Sequence, residues 1–586
     1  MKNTVFILII GAVLLVSSCG SGDYGVVLNR YVATKLKPFD PAKISDRRTN
    51  QVYGDINEHL FSFRYLADNY FLQPEIAASM PEVSGDGLVY TIKLREDAFY
   101  YDSLKEVFPE GKGRAANVHD FILSFKRLAD PAVQADGWWL FNGYILGLNE
   151  WADAGANYAA DVEGLKALDD FTLQLTLTKP YPQILYTLTM PYTSPLPYEL
   201  LDTYGEEFVN FPIGTGAYYF DHLSSIPDSR YVLRKNPAWR GGRFPDADSA
   251  GPQSAKKLGE DTLAKFEGKK LPFCDTIIWY VMEESSVQWL KFRGGELDFS
   301  GIPKDNYAST VIDNALTEEF ISDGIILDIK PTLDVTYTFL NMDNPYFGTN
   351  KKLRQAMSMA YNHEKALEIF YNDRAIPAQT LLPPGVGGYD PTYKNPYKTY
   401  DPDKAKRYLA EAGYPNGEGL PVFKYQMYSA SSASHRQMVE FFIDNMKKIG
   451  IKIEAVPGDW PTFLNRIDSG EVEIGGLAWG ADYPDAQNFL QLNYGPNRSP
   501  GANSANFNNP RFNKLYEQGA FMQQSPKRDA IYAEAAQLAA EETPWILGVH
   551  RLSYTLEHPW VKTRVFRDIG SGYSKYIYVD SKERGF

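Results

Sequence analysis

Two cysteines in 586 residues leave little room for covalent cross-linking. They are Cys19 and Cys274. If the first carries another modification the second has no partner, so no intrachain disulfide is expected. Histidine is scarce as well: the 7 residues are scattered, and none stands at metal-ligand spacing from another. No GxxxxGK phosphate loop, no HExxH, no CxxC and no GxSxG nucleophile elbow occurs. The common signatures of nucleotide hydrolysis, metalloprotease and serine hydrolase chemistry are therefore missing. Carboxylates are too plentiful for counting alone to exclude a glycosidase. Positive charge is in deficit, with 59 Lys and Arg against 73 Asp and Glu and a formal net charge of −14. A phosphate-rich partner would be repelled, and no basic stripe of the kind nucleic-acid binders use is visible. No tandem repeat and no long low-complexity linker is found.

What is present starts at the amino terminus. Lys2 supplies a positive charge, and 5–16 (VFILIIGAVLLV) is apolar. That run suits a signal-peptide core and falls short of the roughly 20 apolar residues a spanning helix needs. No later stretch approaches that length. The run ends in Val16-Ser17-Ser18-Cys19, an apolar residue, two small ones and Cys. This is similar to a bacterial lipoprotein signal, which predicts cleavage before Cys19, lipid attachment to it, and a short tether at 20–24. Two or more acyl chains hold a protein firmly where one does so only marginally.

Hydrophobic residues are 44% and charged residues 23%, as in ordinary globular proteins. The length implies two or three lobes rather than one core. Aromatics are 14%, with 40 Tyr. Such richness serves ligand-binding surfaces, because Tyr joins apolar area to a polar tip, and it serves the cores of a large protein equally well. Alternation predicts strands at 88–94 (LVYTIKL) and 171–177 (FTLQLTL), and 277–281 (IIWYV) reads as a buried strand. Cys274, just before it, reads as a buried apolar filler. Apolar spacing predicts helices at 118–128, 353–361, 402–412 and 438–449, with Asp401 as an N-cap and Gly413 and Gly450 as terminators. A strand at 451–456 follows the last. The polar stretch 246–269 reads as a surface loop with one short helix. Strands and helices alternate over most of the chain, which predicts an α/β protein.

Short blocks spread along the chain carry more. They are TIKLR at 91–95 with FYY at 99–101, ANVHD at 116–120, LDDFT at 168–172 and LTKPY at 177–181. Next come PIGTGAY at 212–218, RKNPAW at 234–239 and GELD at 295–298. LRQA at 353–356, YDPDKA at 400–405, EAGY at 411–414 and WGADYPD at 479–485 complete the set. In this order and at these intervals they resemble the bacterial extracellular solute-binding proteins of the peptide and nickel class, which serve ATP-driven (ABC) importers of oligopeptides and dipeptides. Each block alone is weak, and the resemblance covers nearly the whole mature chain.

The resemblance implies a two-lobed periplasmic-binding-protein fold of type II with an additional domain. Lobe I would comprise 25–65, 190–325 and 547–586, the additional domain 66–189, and lobe II 326–546 with the main ligand-contact segment. Ligand would be enclosed by hinge closure, a peptide held extended with its main chain bonded to strand edges. By the same resemblance Asp482 accepts the ligand's α-ammonium, which needs a fixed carboxylate once it is stripped of water; the other reading is that Asp482 caps a turn. Trp479 and Trp460 would line the cleft, with core packing as their alternative, and Tyr483 adjoins the anchor. The pattern breaks at the other end of the ligand. Oligopeptide-type members carry cleft arginines at positions that here are Ile467 and Gly476, and the dipeptide-type arginine falls near Ser429. Arg466 or Arg436 could substitute, though a surface charge is the simpler reading of either.

The expected protein is thus an extracytoplasmic, lipid-anchored monomer, without cofactor, metal or catalytic residues. It would bind peptide, preferentially longer than a tripeptide, and deliver it to ABC permease subunits. A peptide-sensing receptor, a family member with a non-peptide ligand and a surface glycan-binding lipoprotein are the alternatives. The strand content counts against the last.

Overall fold

The computed structural model of the chain describes residues 25–429 and 432–585. The leader, Cys19 and the 20–24 tether lie outside the described residues. Helix Val118–Ala129 forms where the spacing predicts it. The Asn117 side chain accepts from the His119 N–H at 3.0 Å, and the Asp120 carboxylate accepts from the Asn117 N–H at 2.9 Å. These bonds satisfy donors that a helix start otherwise leaves open. Val118, Phe121, Phe125 and Leu128 turn inward. They meet a sheet in which Val89–Lys93 pairs antiparallel with Thr172–Thr176 and contributes Ile92, Leu173 and Leu175 to the same core. Burying a phenylalanine such as Phe121 is worth about 2 kcal/mol.

Helix Pro402–Glu411 is capped by Asp401, which accepts from the Lys404 N–H at 2.8 Å. It stops just before Gly413, whose φ of 93° suits glycine. Strand Thr276–Val281 lies parallel to Val27–Val32 and is flanked on its other side by Arg230–Lys235. Cys274 is free and fully buried, as its apolar surroundings predict.

Two segments differ from expectation. Residues 246–269 carry two helices, Pro252–Leu258 and Glu260–Phe266, rather than a loop with one. Leu258, Leu263 and Phe266 are buried against Tyr65, Phe244 and Leu271, a contact across the sequence that the polar local composition conceals. The helix expected at 438–449 begins earlier, as Ala433–Lys447, because Ser432 caps it by accepting from the His435 N–H. The strand after Gly450 is correspondingly shorter, Ile453–Val456.

The arrangement that positions the site is a double crossover. Ile326–Pro331 pairs with Val549–Glu557 in one sheet. Directly beyond, Asp334–Leu340 pairs with Trp545–Leu547 in another, beside Ile474–Gly480. The chain therefore passes between the two sheets twice, at Thr332–Leu333 and at Gly548. Gly548 is needed there: its N–H donates to the Thr336 carbonyl at 2.7 Å, and a Cβ would stand 2.3 Å from the Thr336 hydroxyl. Two adjacent strands carrying all the covalent continuity between two cores is the geometry of a hinge.

Candidate functional site

Strand Ile474–Gly480 ends beside the crossover, where Asp334 and Gly480 are register partners. The next residue, Ala481, donates its N–H to the Leu333 carbonyl at 2.8 Å. This fixes the start of the 481–487 loop at the hinge. Deeper in the loop, Asp485 and Arg528 form a buried bidentate pair at 2.7 and 2.8 Å. Arg528 belongs to helix Pro526–Glu542, so the loop is stapled to a rigid element. Two parallel charge-assisted bonds supply direction as well as energy.

Asn488, fully buried, organises the residues between. Its Oδ1 accepts from the Trp479 indole N–H and from the Asp482 N–H, both at 3.0 Å. Its Nδ2 donates to Asp482 Oδ2 at 2.9 Å. That is the hydrogen bond the Asp482 carboxylate accepts, and no Lys, Arg or His among the described residues forms an ion pair with it. Burial pushes its carboxyl up to about 6, opposed by the Asn488 bond. Among the described residues no backbone N–H donates to the Asp482 carboxylate, so it does not cap a turn there. In this loop Asp485 does so, accepting from the Gln487 N–H at 2.8 Å.

Trp479 and Tyr483 border a cavity of about 820 Å3. One wall comes from 139–183, with Trp139, Tyr144 and Tyr181. The facing wall holds Trp460 and Trp479. Trp460 is the first residue of helix Trp460–Asp468 and remains 47% exposed, with its ring 5.6 Å from Tyr428. It is a lining residue rather than core. Tyr483 is both: 2% exposed, it joins the core built on helix Val118–Ala129, stacks 6.4 Å from Tyr186 and donates to Gln487. The aromatic surplus of the sequence is thus divided between this cavity and the cores.

The missing arginines have a structural counterpart. Ile467 is 5% exposed and lines the cavity. A Cβ at Gly476 would lie 2.6 Å from the Tyr425 hydroxyl, which occupies the space a longer side chain needs. Arg466 donates to Gln426 at 2.8 Å. Ser429 carries no charge. Asn488 and Arg528 escaped sequence reading, because their roles depend on residues 6 and 43 positions away, respectively, and Tyr181, quoted above only within the LTKPY block, meets the 482–485 loop about 300 positions on.

Residues 72–501 match the family described as bacterial extracellular solute-binding proteins, family 5 Middle. The chain is 26% identical over 516 residues to heme-binding protein A of Haemophilus influenzae, covering 87% of this chain and 85% of that protein. Among solved structures, HbpA2 from Haemophilus parasuis superposes with a TM-score of 0.74 at 23% identity, covering 94% of this chain and all of that one (100%). The ABC transporter-associated periplasmic binding protein DppA from Helicobacter pylori, in complex with the peptide STSA, gives 0.70 at 23% identity, covering 95% and 98%. The fold is the two-lobed α/β type II binding-protein fold, as the sequence predicts. Among the described residues no helix is long and apolar enough to cross a membrane.

Proposed function

The chain belongs to the bacterial extracellular solute-binding proteins of family 5, and from that premise we propose that it captures peptides, in particular oligopeptides, between its lobes for delivery to an ABC permease. As a member of that family it is a binding protein and not an enzyme. The observation that carries the peptide reading is the unpaired, desolvated carboxylate of Asp482. A partly buried charge without a counter-ion is costly, and a cation entering from outside relieves that cost. An α-ammonium brings one positive charge and three donors, and suits a carboxylate with one oxygen already held by Asn488. Trp479, Tyr483 and Trp460 then offer aromatic surface to the side chains that follow. The peptide held by the Helicobacter relative supports this reading. The haem-binding name of the Haemophilus relative shows that family members take other cargo, and an aromatic cavity suits a flat apolar ligand too.

In this reading lobe I, the additional domain and lobe II follow the segments assigned from sequence, except that the boundaries between lobes I and II move to the two crossovers, at Thr332–Leu333 and Gly548. Cys19 carries the lipid that anchors the protein outside the cytoplasm, and the protein acts as a monomer. The test is calorimetric titration of the mature chain with free-amine and N-acetylated peptides of matched sequence. Asp482→Ala is expected to weaken the free-amine series at least tenfold while circular dichroism is unchanged, consistent with loss of a charge-assisted bond. Equal binding of both series by the wild type would refute the ammonium role.

A further inference from the structure

The reading above leaves the far end of the ligand without a partner, since lobe II lacks the arginines that would hold a carboxylate. A second cavity of about 870 Å3 lies on the other side of the crossover, at the carboxyl end of strand Val27–Val32, near Trp279 and Phe299. The chain as a whole is strongly acidic, yet this cavity is basic. Arg30, Arg47, Arg48 and Arg564 border it together with Lys35 and Lys37, against one acid, Asp46.

The four arginines differ in how far their charge is spent. Arg564 is paired with Glu557 and Arg47 with Asp568, and the two lysines are paired as well, Lys35 with Asp228 and Lys37 with Asp136. Arg30 has no such ion pair among the described residues. Its guanidinium lies 3.8 Å above the Trp279 ring and donates to the Ser574 hydroxyl at 2.6 Å. Its buried Nε has no hydrogen-bond partner. The nearest counter-charge is Asp55, which accepts from the same Ser574 at 2.7 Å and whose own carboxyl is pushed up to about 6 by burial. Burial, opposed by Asp55 and reinforced by Arg564 and Arg47, lowers Arg30 to about 10. Arg48, on the exposed rim at the start of helix Arg47–Ile56, has no acidic side-chain partner among the described residues.

This basic cavity and Asp482 are close neighbours. Asp568, which pairs with Arg47, also accepts from the Leu333 N–H at 2.8 Å, and Leu333 is the residue whose carbonyl holds Ala481. The Tyr192 phenol, raised by burial, further feels the negative charge of both Asp482 and Asp46. Asp482 on lobe II and the basic cavity on lobe I are thus separate sites linked through Leu333 and Tyr192.

We propose that the Arg30–Arg48 pocket receives the anionic end of the cargo, so that the ligand class is zwitterionic: an ammonium on Asp482 and a carboxylate, terminal or side-chain, on lobe I. This rests on the peptide reading of Asp482. Holding the two charges on different lobes makes the ligand a bridge, and only the closed form satisfies both ends at once. A basic wall on an acidic protein also draws the anionic end inward during encounter.

The experiment titrates the mature wild type and Arg48→Gln with tri- to hexa-alanine. Each peptide is supplied as free acid, as C-terminal amide, as N-acetyl acid, and as an amide with a C-terminal Glu. The expected result is that amidation weakens wild-type binding about tenfold and the Glu side chain restores it, as for a charge-assisted contact. Arg48→Gln is expected to reduce acid binding about three- to tenfold while leaving amide binding unchanged, so the acid-to-amide ratio collapses. Rescue of the ratio by Arg48→Lys supports a charge role. Restoration by Glu marks a carboxylate at either position, and its absence narrows the site to the terminal carboxylate. Equal binding of acid and amide by the wild type, with the N-acetyl form still weak, overturns the basic pocket and leaves the Asp482 reading standing. Parallel loss of acid and amide binding in Arg48→Gln also overturns it. Failure of every peptide to bind at every length overturns both.

Discussion

Asp482 is more expensive to the free protein than to the complex. Its folded carboxyl sits at about 6 against an ordinary 3.8. The native state therefore binds more protons than the unfolded one between those values, and stability falls as pH rises through that window. Asp482→Asn removes the cost of ionising the group. It is expected to unfold in urea at an equal or higher midpoint than wild type at pH 8, while losing its preference for free-amine peptides. A lower midpoint would mean that the carboxylate stabilises the empty fold. The same shift predicts a pH signature for binding. The contact requires both the ionised carboxylate and the protonated amine, so affinity should be greatest near pH 7, fall by up to tenfold per unit below about 6, and fall again above about 8 as the peptide's α-amine loses its proton. Calorimetry in buffers of different ionisation enthalpy should then show proton release on binding near pH 6.

At the scale of elements, two contacts hold the site in place. The Asp485–Arg528 pair ties the 481–487 loop to helix Pro526–Glu542. Both side chains are buried, so Asp485→Ala strands a guanidinium and is expected to cost about 3–5 kcal/mol in urea unfolding. The second contact is at the crossover. Lys398, 7% exposed, donates to the Leu547 and Gly548 carbonyls at 2.5 and 2.9 Å and to His363 Nδ1 at 3.0 Å. Burial lowers this amine to about 7, and it depresses His363 in turn, whose ring burial has already brought well below its usual value. An unfolded lysine holds its proton to about 10.5. Between about 7 and 10.5 the unfolded chain therefore binds the extra proton, and this group makes stability rise with pH by on the order of 1 kcal/mol per unit. Lys398→Met should flatten that slope and lower stability at pH 9, read as the difference between urea midpoints at pH 7 and pH 9. An unchanged slope would place the titration elsewhere.

At the scale of the molecule, a hinge made of two neighbouring crossovers predicts closure on ligand. Small-angle scattering is expected to show a smaller radius of gyration with bound peptide than without. A ligand at 100 times its Kd should also stabilise the protein by about 2.7 kcal/mol against unfolding, raising the thermal midpoint. The proposed lipid at Cys19 confines this movement to a membrane surface. Cys19→Ser is expected to release the protein from the membrane fraction and to abolish incorporation of labelled palmitate, with peptide affinity unchanged.

Much of this was legible in the chain. The helix at 118–129 and the strands around Val89–Lys93 and Thr172–Thr176 follow from short-range spacing, which side-chain periodicity records directly. Asp482 was found through its neighbours Trp479 and Tyr483, a contiguous block. The helices within 246–269 were underestimated because their apolar residues are few and meet partners far along the sequence. The basic pocket is invisible for the same reason: Arg30 and Arg48 lie more than 500 positions from Arg564, and no local pattern joins them. Sequence by itself determined the alternating α/β elements and the family, and it singled out Asp482 as the candidate amine anchor, since each is written in local order. Only the tertiary structure decided that Asp482 has no ion-pair partner among the described residues, that Asn488 and Arg528 hold its loop, and that Arg30, Arg47, Arg48 and Arg564 gather around one cavity. Desolvation and the pairing of charges depend on which distant segments meet, and that is settled by packing rather than by sequence neighbourhood.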